Sequence, residues 1–206
     1  MAQLCFTYAT MGSGKSSLLL QSEFNHRERG LRCLLLTPST DTRYGQGRIT
    51  SRLGISAPAE VFGPEDNLLE KFLRPAHESG IACVLIDEIQ FATPEQIWQL
   101  AKGVDLFDLP VMVYGLRTDF RGIPFDASAT LMGIADELRE LHTVCHCGCK
   151  ATMVARKSAD GRYLREGAQV QIGGNDHYVP LCRKHWLDAL GLMDCDQDEP
   201  LKVRTA

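Results

Sequence analysis

The 206-residue sequence has no long apolar run, no secretory signal and no excess of positive charge. No stretch approaches the ~20 apolar residues that a membrane-spanning helix requires, and the N-terminus lacks a secretory pattern. The net charge of −4 creates no general field that would attract nucleic acid. Internal repeats and low-complexity tracts are also absent. These absences predict a cytoplasmic protein that binds neither a membrane nor nucleic acid.

The composition that is present suits one globular domain with a small addition. Apolar residues make up 44% of the sequence and charged residues 23%. Among eight cysteines, Cys5, Cys33 and Cys83 lie singly in apolar runs, which predicts buried thiols. Four others lie within the last third of the chain, namely Cys145, Cys147, Cys149 and Cys182. In a reducing compartment such a cluster favours metal binding over disulfides.

Four apolar runs predict strands that are buried on both faces, as in a parallel sheet. They comprise residues 3–8, 32–38, 81–87 and 109–115. Helical patterns alternate with them, at residues 16–29, 65–79 and 93–107. The last pattern opens with Thr93 as N-cap and Pro94 at the first helical position. This alternation predicts a three-layer α/β fold with right-handed crossovers.

The pattern changes near residue 142. Short alternating segments there are interrupted by Asp160-Gly161 and Gly173-Gly174, which predicts a hairpin and a long loop. The stretch HWLDALG, residues 185–191, predicts a closing helix. We therefore expect an α/β domain over residues 1–141, a smaller domain over 142–192 and a disordered tail over 193–206.

The stretch ATMGSGKS follows the first predicted strand and fits the pattern G-x-x-x-x-G-K-[ST], with alanine at the first glycine. Its N–H groups would cradle phosphates, Lys15 would neutralise the β- and γ-phosphate oxygens and Ser16 would ligate Mg²⁺. Ala9 would cost about 1 kcal/mol only if its φ were positive. An ordinary glycine-rich turn is the alternative. The predicted phosphate loop comprises Ala9, Thr10, Met11, Gly12, Ser13, Gly14, Lys15 and Ser16.

The stretch CVLIDEIQF, residues 83–91, supplies two adjacent acids at the end of a buried strand. Asp87 would bind Mg²⁺ directly or through water. Glu88 would act as a general base, either on water in an ATPase or on a substrate hydroxyl in a kinase. A capping or solvated pair is the alternative. The loop and the acids together predict phosphoryl transfer from a nucleoside triphosphate. They do not identify the molecule that accepts the phosphoryl group.

Two short chelating pairs, Cys145-x-Cys147 and Cys182-x-x-His185, predict a closed tetrahedral Zn²⁺ site with a structural role. Cys149 is a fifth potential ligand, so the first pair could be 145 with 147, 145 with 149, or 147 with 149. His146 lies between two cysteines and is expected to point away from the metal.

Several motifs in order resemble the cytosolic type II thymidine kinases of the bacterial type, over residues 3–190. Besides the phosphate loop with Met11 inside it, they are DTRYGQG (41–47), LIDEIQF (85–91), YGLRTDFRG (114–122), IGGNDHY (172–178) and CRKH (182–185). The resemblance implies a P-loop NTPase (RecA-like) parallel sheet core with a small C-terminal zinc-binding lasso domain. It also implies an enzyme of nucleotide salvage that transfers the γ-phosphate of ATP to the 5′-hydroxyl of thymidine, giving dTMP.

The resemblance implies a role for individual residues. Glu88 matches the catalytic base, Phe120 the aromatic that stacks on thymine, and Met11 a residue near the thymine methyl group. For Phe120, Phe125 and Tyr178, ordinary packing is the alternative that the residues alone leave open. Beyond the loop, the implied ATP site takes in Arg43, Asp87, Glu88, Ile89 and Gln90. The implied thymidine site comprises Met11, Leu116, Phe120, Phe125, Gln169, Val170, Gln171, Ile172, Gly173 and Tyr178, of which Gln169 to Gly173 and Tyr178 match the lasso that closes over the nucleoside.

The resemblance further implies a homotetramer that is inhibited by dTTP. It favours zinc ligation by Cys145, Cys147, Cys182 and His185, which would leave Cys149 as a spare thiol, and Mg²⁺ would be held by Ser16 and Asp87. Two other functions fit parts of the sequence: a zinc-ribbon ATPase that acts on nucleic acid, and a nucleotide-binding regulator without turnover. The acidic net charge disfavours the first, and the intact set of catalytic residues disfavours the second.

Overall fold

The computed structural model describes residues 1–41, 45–169 and 178–193, and its main feature is a parallel β-sheet. The described strands before residue 141 are β1 (Leu4–Ala9), β2 (Cys33–Pro38), β3 (Arg48–Thr50), β4 (Ser56–Pro58), β5 (Glu60–Phe62), β6 (Cys83–Ile86), β7 (Val111–Leu116) and β8 (Glu137–Glu140). The sheet has the order β5-β2-β6-β7-β1-β8, and every neighbouring pair is parallel. β3 and β4 form a separate antiparallel ribbon.

The predicted α/β fold is confirmed, because the four apolar runs are the central strands β1, β2, β6 and β7. Strand β6 shows how both faces are buried. Val84 and Ile86 belong to one hydrophobic core, whereas Cys83 and Leu85 belong to another. Since successive side chains of a strand point to opposite faces, the sheet separates the two cores.

Helices cover both faces of the sheet. They are α1 (Lys15–Arg27), α2 (Arg74–Glu78), α3 (Pro94–Phe107) and α4 (Asp126–Ile134). α1 contributes Leu19 to the core that contains Leu85, and α3 contributes Ile97 to the core that contains Val84. The predicted cap of α3 is confirmed as a capping box, in which the Thr93 hydroxyl accepts from the N–H of Gln96 and the Gln96 side chain accepts from the N–H of Thr93.

The helix predicted over residues 65–79 differs in the structure. It begins as one π-helical turn, Leu69–Leu73, and continues as the short α2. Pro75 explains the wide turn, because it has no N–H and its ring would crowd the carbonyl group of Lys71 in a regular helix. The N–H of Arg74 instead bonds the carbonyl of Leu69, five residues earlier.

Beyond β8 the chain forms a smaller unit around a three-stranded antiparallel sheet. Its elements are β9 (Met153–Lys157), β10 (Tyr163–Leu164), β11 (Tyr178–Leu181) and α5 (Arg183–Ala189). The predicted hairpin at Asp160-Gly161 and the predicted closing helix are both confirmed. Gly173-Gly174 and nearly all of the predicted tail, residues 194–206, lie outside the described residues. The domain boundary near residue 141 stays a prediction.

None of the helices in the described ranges combines the length and the apolar character that crossing a membrane requires.

Candidate active site and metal cluster

The phosphate loop, the acidic pair and several predicted thymidine-site residues line one cavity of about 430 Å³. It lies where β1, β6 and β7 end, which is where parallel α/β sheets bind ligands. The predicted residues in its lining are Met11, Gly12, Ser13, Gly14, Lys15, Ser16, Asp87, Glu88, Gln90, Leu116, Phe120, Phe125, Gln169 and Tyr178. A volume of this size suits a small-molecule site.

The phosphate loop owes its shape to two glycines. Gly12 and Gly14 have φ values of 75° and 85°, in the left-handed region that favours glycine. Ala9 has no positive φ, so alanine at the first position of the pattern adds no backbone strain. Lys15 is buried, and its Nζ donates to the carbonyl oxygen of Thr10 at 2.9 Å. The ammonium group is thereby held within the loop.

Ser16 and Asp87 join the loop to the end of β6. The Ser16 hydroxyl donates to Asp87 Oδ2 at 2.7 Å, while the buried Asp87 Oδ1 has no hydrogen-bond partner among the described residues. Burial and the nearby charge of Glu88 raise the pKa of Asp87 to about 7, although the Ser16 hydrogen bond opposes this shift. A carboxylate oxygen without a partner beside a hydroxyl oxygen is a donor set that fits Mg²⁺.

Glu88 follows Asp87 with φ 50° and ψ 41°, a left-handed backbone that is uncommon outside glycine. The half-buried carboxylate accepts a hydrogen bond from Gln90 Nε2, and Gln90 Oε1 accepts from the N–H of Leu116 at 2.9 Å. A Cβ at Gly115 would come within 2.7 Å of Gln90 Oε1. Glycine at this position therefore leaves room for the side-chain amide of Gln90 to pack against β7. The side chain of Ile89 is fully buried in the core, which leaves only its main chain for the predicted ATP contact.

Phe120 and Phe125, called the aromatic wall below, lie on the loop that follows β7. Both line the cavity although they are only 1% and 5% exposed. The buried Asp119 shapes the loop between them: its carboxylate accepts from the N–H groups of Arg121 and Ile123 and pairs with the Arg121 guanidinium at 2.7 Å. The two rings are thus part of the core and of the cavity surface at once.

The two ends of the predicted lasso, Gln169 and Tyr178, both lie at the cavity. The remaining predicted contacts cannot be followed, because Arg43, Val170, Gln171, Ile172 and Gly173 lie outside the described residues. Their roles stay predictions.

The sequence did not identify some residues that line the cavity. Ser51 and Arg52, just after β3, are in the lining, and Arg52 Nη1 lies 3.5 Å from where a Cβ at Gly12 would be. Phe91 and Val154 also line the cavity. The sequence gives little signal for them: the ribbon strands have three residues each, and Phe91 and Val154 resemble ordinary core residues.

The predicted zinc ligands Cys145, Cys147, Cys182 and His185 form one cluster, in which the ligand atoms all lie within 4.8 Å of one another. His185 Nδ1 lies 3.5 Å from Cys145 Sγ and 3.3 Å from Cys182 Sγ, and the Cys147 and Cys182 sulfurs are 4.0 Å apart. A tetrahedral zinc with Zn–S bonds of about 2.3 Å requires ligand separations of about 3.5 to 3.8 Å. The four residues therefore fit a structural zinc ion.

Within the cluster, electrostatics favour a thiolate at Cys145. Burial raises the pKa of Cys145, but hydrogen bonds from the Cys147 and Cys182 backbone and from His185 outweigh it and lower the pKa to about 6. The exposed Cys149 is not part of the cluster. His146 is not a member of the cluster either, although its Nδ1 lies 3.7 Å from Cys145 Sγ and its ring centre lies 4.3 Å from that of His185, and its orientation relative to the metal stays a prediction.

Comparison with known proteins gives a consistent result. The thymidine kinase family model matches residues 2–186 of this chain. The thymidine kinase of Ruegeria pomeroyi is 54% identical over 93% of this chain and 96% of its own length. That of Jannaschia sp. is 53% identical, with 93% and 98% covered, and that of Rhizobium etli is 51% identical, with 92% and 96% covered.

Proposed function

The chain belongs to the thymidine kinase family, and we propose that it transfers the γ-phosphoryl group of ATP to the 5′-hydroxyl of thymidine, giving dTMP and ADP. One observation supports this most strongly: the phosphate loop, the acidic pair and the aromatic wall line the same cavity. A phosphate donor and a flat acceptor could therefore bind next to each other, as direct transfer requires.

Glu88 is the proposed base that takes the proton from the 5′-hydroxyl. Its carboxylate lines the cavity and is oriented by Gln90, which is itself anchored to the main chain of β7. A base held in this way can accept a proton without first reorganising. The strained backbone of Glu88 is consistent with a residue kept for chemistry rather than for stability.

The phosphate loop is the proposed site for the triphosphate. Its N–H groups and the Lys15 ammonium would bind the phosphate oxygens and stabilise the charge that builds up during transfer. We propose that Ser16 and Asp87 hold Mg²⁺, which would neutralise the β- and γ-phosphates when bound. The unpartnered Asp87 Oδ1 supports that assignment. The family resemblance adds Arg43 as a further phosphate contact.

The aromatic wall and Leu116 are proposed to receive the thymine ring, with Phe120 stacking on it and Met11 near its methyl group. Gln169 and Tyr178 would contribute as the two ends of the lasso, together with the residues between them. A kinase must favour a sugar hydroxyl over water, so a segment that closes over the nucleoside has a direct chemical purpose.

We propose that the Cys/His cluster holds a structural zinc ion at the base of the lasso. Four protein ligands leave no open position for a water molecule, so the ion would stabilise and not catalyse. We further propose, from the family resemblance, a cytoplasmic homotetramer inhibited by dTTP. That nucleotide carries both a thymine and a triphosphate, so it could occupy both parts of the cavity.

Transfer of label from [γ-³²P]ATP to a panel of deoxynucleosides, without DNA present, tests the proposal. We expect labelled dTMP with thymidine, and none when Lys15 is replaced by alanine. ATP hydrolysis that requires single-stranded DNA, with no labelled nucleotide, would instead indicate a nucleic-acid ATPase.

A further inference from the structure

Arg156, on β9, is a buried arginine that the proposed chemistry does not use. Its side chain packs against Phe120: the guanidinium carbon lies 3.9 Å from the centre of the ring, well within the about 6 Å range of cation–π attraction. Its Nη1 also donates to the carbonyl oxygen of Ala168 at 2.9 Å. Both contacts are next to the cavity, because its lining includes Phe120 and also Gln169, which follows Ala168 in the chain.

Stability alone does not explain an arginine at this position. Arg156 is only 4% exposed, and its Nε has no hydrogen-bond partner among the described residues. Removing a guanidinium from water is costly, and an apolar side chain of similar volume is often neutral or stabilising in its place. What a methionine in this place would lack is the cation over the Phe120 ring and the donor to the Ala168 carbonyl oxygen.

The guanidinium packs against both the Phe120 ring and the chain that enters the lasso. Arg156 is not in the cavity lining although Phe120 is, so the guanidinium covers a part of the ring that the cavity does not reach. A Cβ at Gly167 would collide with Arg156 Nη2 and would lie 3.9 Å from Phe120 Cζ, so this part of the backbone approaches both side chains. The backbone at residues 167–168 thus packs directly on the guanidinium.

The Phe120 main chain is fixed separately. Trp186 Nε1, from α5, lies 3.1 Å from both the Phe120 and the Val154 carbonyl oxygens and donates to them. With the backbone held by Trp186, the orientation of the ring depends on what packs against it, and Arg156 is the cation closest to its centre among the described residues.

We propose that Arg156 is a positioning residue for nucleobase recognition. It holds the Phe120 ring for stacking and ties the start of the lasso to that ring, so that both parts of the base site are formed together. This inference rests on the proposed function, in which Phe120 stacks on the base. Arg156 itself is not in the cavity lining, so it would act through Phe120 and the start of the lasso.

Steady-state kinetics of Arg156→Met and Arg156→Lys test the proposal. Methionine is unbranched and similar in volume, although shorter, and it lacks the charge and the donors, so KM for thymidine should rise about tenfold, while KM for ATP changes less than about twofold. Lysine keeps a cation over the ring and should restore most of the affinity. Arg162→Met, at an exposed site directly before β10, is the matched control and should behave as wild type.

A double-mutant cycle with Phe120→Leu separates positioning from general stability. If Arg156 acts through the ring, Arg156→Met should raise KM for thymidine much less in the Phe120→Leu background than in wild type. Equal effects in both backgrounds would overturn the proposal. Zinc content and thermal unfolding identify any variant that fails to fold. If Arg156→Met does not fold, the lysine variant serves for the same cycle, and its smaller rise in KM should again be reduced in the Phe120→Leu background.

The activity of the wild-type enzyme distinguishes a failure of the proposed function from a failure of the proposed role of Arg156. Phosphorylation of thymidine by wild type, with KM for thymidine within about twofold of normal in Arg156→Met, would overturn the role of Arg156 and leave the proposed function intact. A wild type that phosphorylates no thymidine would overturn both.

Discussion

At the scale of single residues, Glu88 is the residue on which the proposed phosphoryl transfer depends most. Its left-handed backbone costs on the order of 1–3 kcal/mol, which the fold tolerates because Gln90 and β7 fix the surrounding chain. Such strain at a cavity is characteristic of functional sites. The adjacent Asp87 has a different environment, since it is buried and hydrogen-bonded to Ser16. The two acids therefore suit two tasks, metal binding for Asp87 and proton transfer for Glu88.

Glu88→Gln preserves the shape of the side chain but removes the proton acceptor. We expect turnover to fall by roughly 10²–10⁴ while ATP affinity is retained. Initial rates with thymidine and equilibrium binding of a fluorescent ATP analogue measure the two quantities. Glu65→Gln, at an exposed position before the π-helical turn, is the control and should have no effect. Near-normal turnover of Glu88→Gln would exclude Glu88 as the base.

The cysteines should differ sharply in reactivity. Burial raises the pKa of Cys83 to about 12 and that of Cys5 to about 11, so neither forms appreciable thiolate at about pH 8. Among the cysteines that the structure describes, the exposed Cys149 should be alkylated first in the zinc-loaded protein. Peptide mapping after brief iodoacetamide treatment measures this order, and early modification of Cys83 would contradict it.

Metal content of serine variants tests the ligand assignment. Cys147→Ser should lose zinc, because three ligands cannot close a tetrahedral structural site. Cys149→Ser, two residues away, should retain one zinc per chain and full activity. Zinc lost from Cys149→Ser and kept by Cys147→Ser would show that the pairing has shifted.

At the scale of elements, the sequence predicted those whose stability is local or strongly patterned. The buried parallel strands and α3 are examples, because continuous apolar runs and a capping box are visible in the sequence. It did not predict β8. Three of the four residues of β8, Glu137–Glu140, are charged, and they form a strand by pairing with β1 at the edge of the sheet. The contact of Arg156 with Phe120 could not be predicted either, since it joins β9 to the loop after β7, 36 positions apart in the sequence.

The capping box offers a test at this scale. Thr93→Ala removes the hydroxyl that accepts from the N–H of Gln96, so the free energy of unfolding should fall by about 1 kcal/mol. Thr93→Ser keeps the acceptor and should lose only a few tenths of that amount. Urea denaturation followed by circular dichroism gives both values. Equal losses in the two variants would mean that the hydroxyl is not what stabilises the helix.

At the scale of the whole molecule, the small unit that carries the Cys/His cluster is tied to the main cavity. Trp186 follows His185 directly and bonds the carbonyl oxygens of Phe120 and Val154, while a Cβ at Gly122 would come within 3.2 Å of its ring. The metal cluster and the aromatic wall are thus joined through one side chain. Loss of the metal should therefore disturb the nucleoside part of the cavity more than the phosphate loop, which belongs to the main sheet.

Removal of zinc by a chelator tests this coupling. The protein has two tryptophans, and Trp98 is 59% exposed, so the variant Trp98→Phe leaves Trp186 as the only reporter. Chelation should shift its emission to longer wavelength and weaken thymidine binding, with ATP binding unchanged. An unaltered Trp186 signal in metal-free protein would show that the cluster and the aromatic wall are independent.

The central claim is that the cavity delivers phosphate to thymidine and not to water. Its most direct test measures how much dTMP, ADP and inorganic phosphate the purified, zinc-loaded protein forms from ATP in the absence of nucleic acid. We predict nearly one dTMP for each ADP in the presence of thymidine, and almost no ADP in its absence or with 5′-deoxythymidine, which lacks the accepting hydroxyl. Two results would contradict this claim. One is the formation of ADP and inorganic phosphate without an acceptor, and the other is their formation in the presence of thymidine without any dTMP.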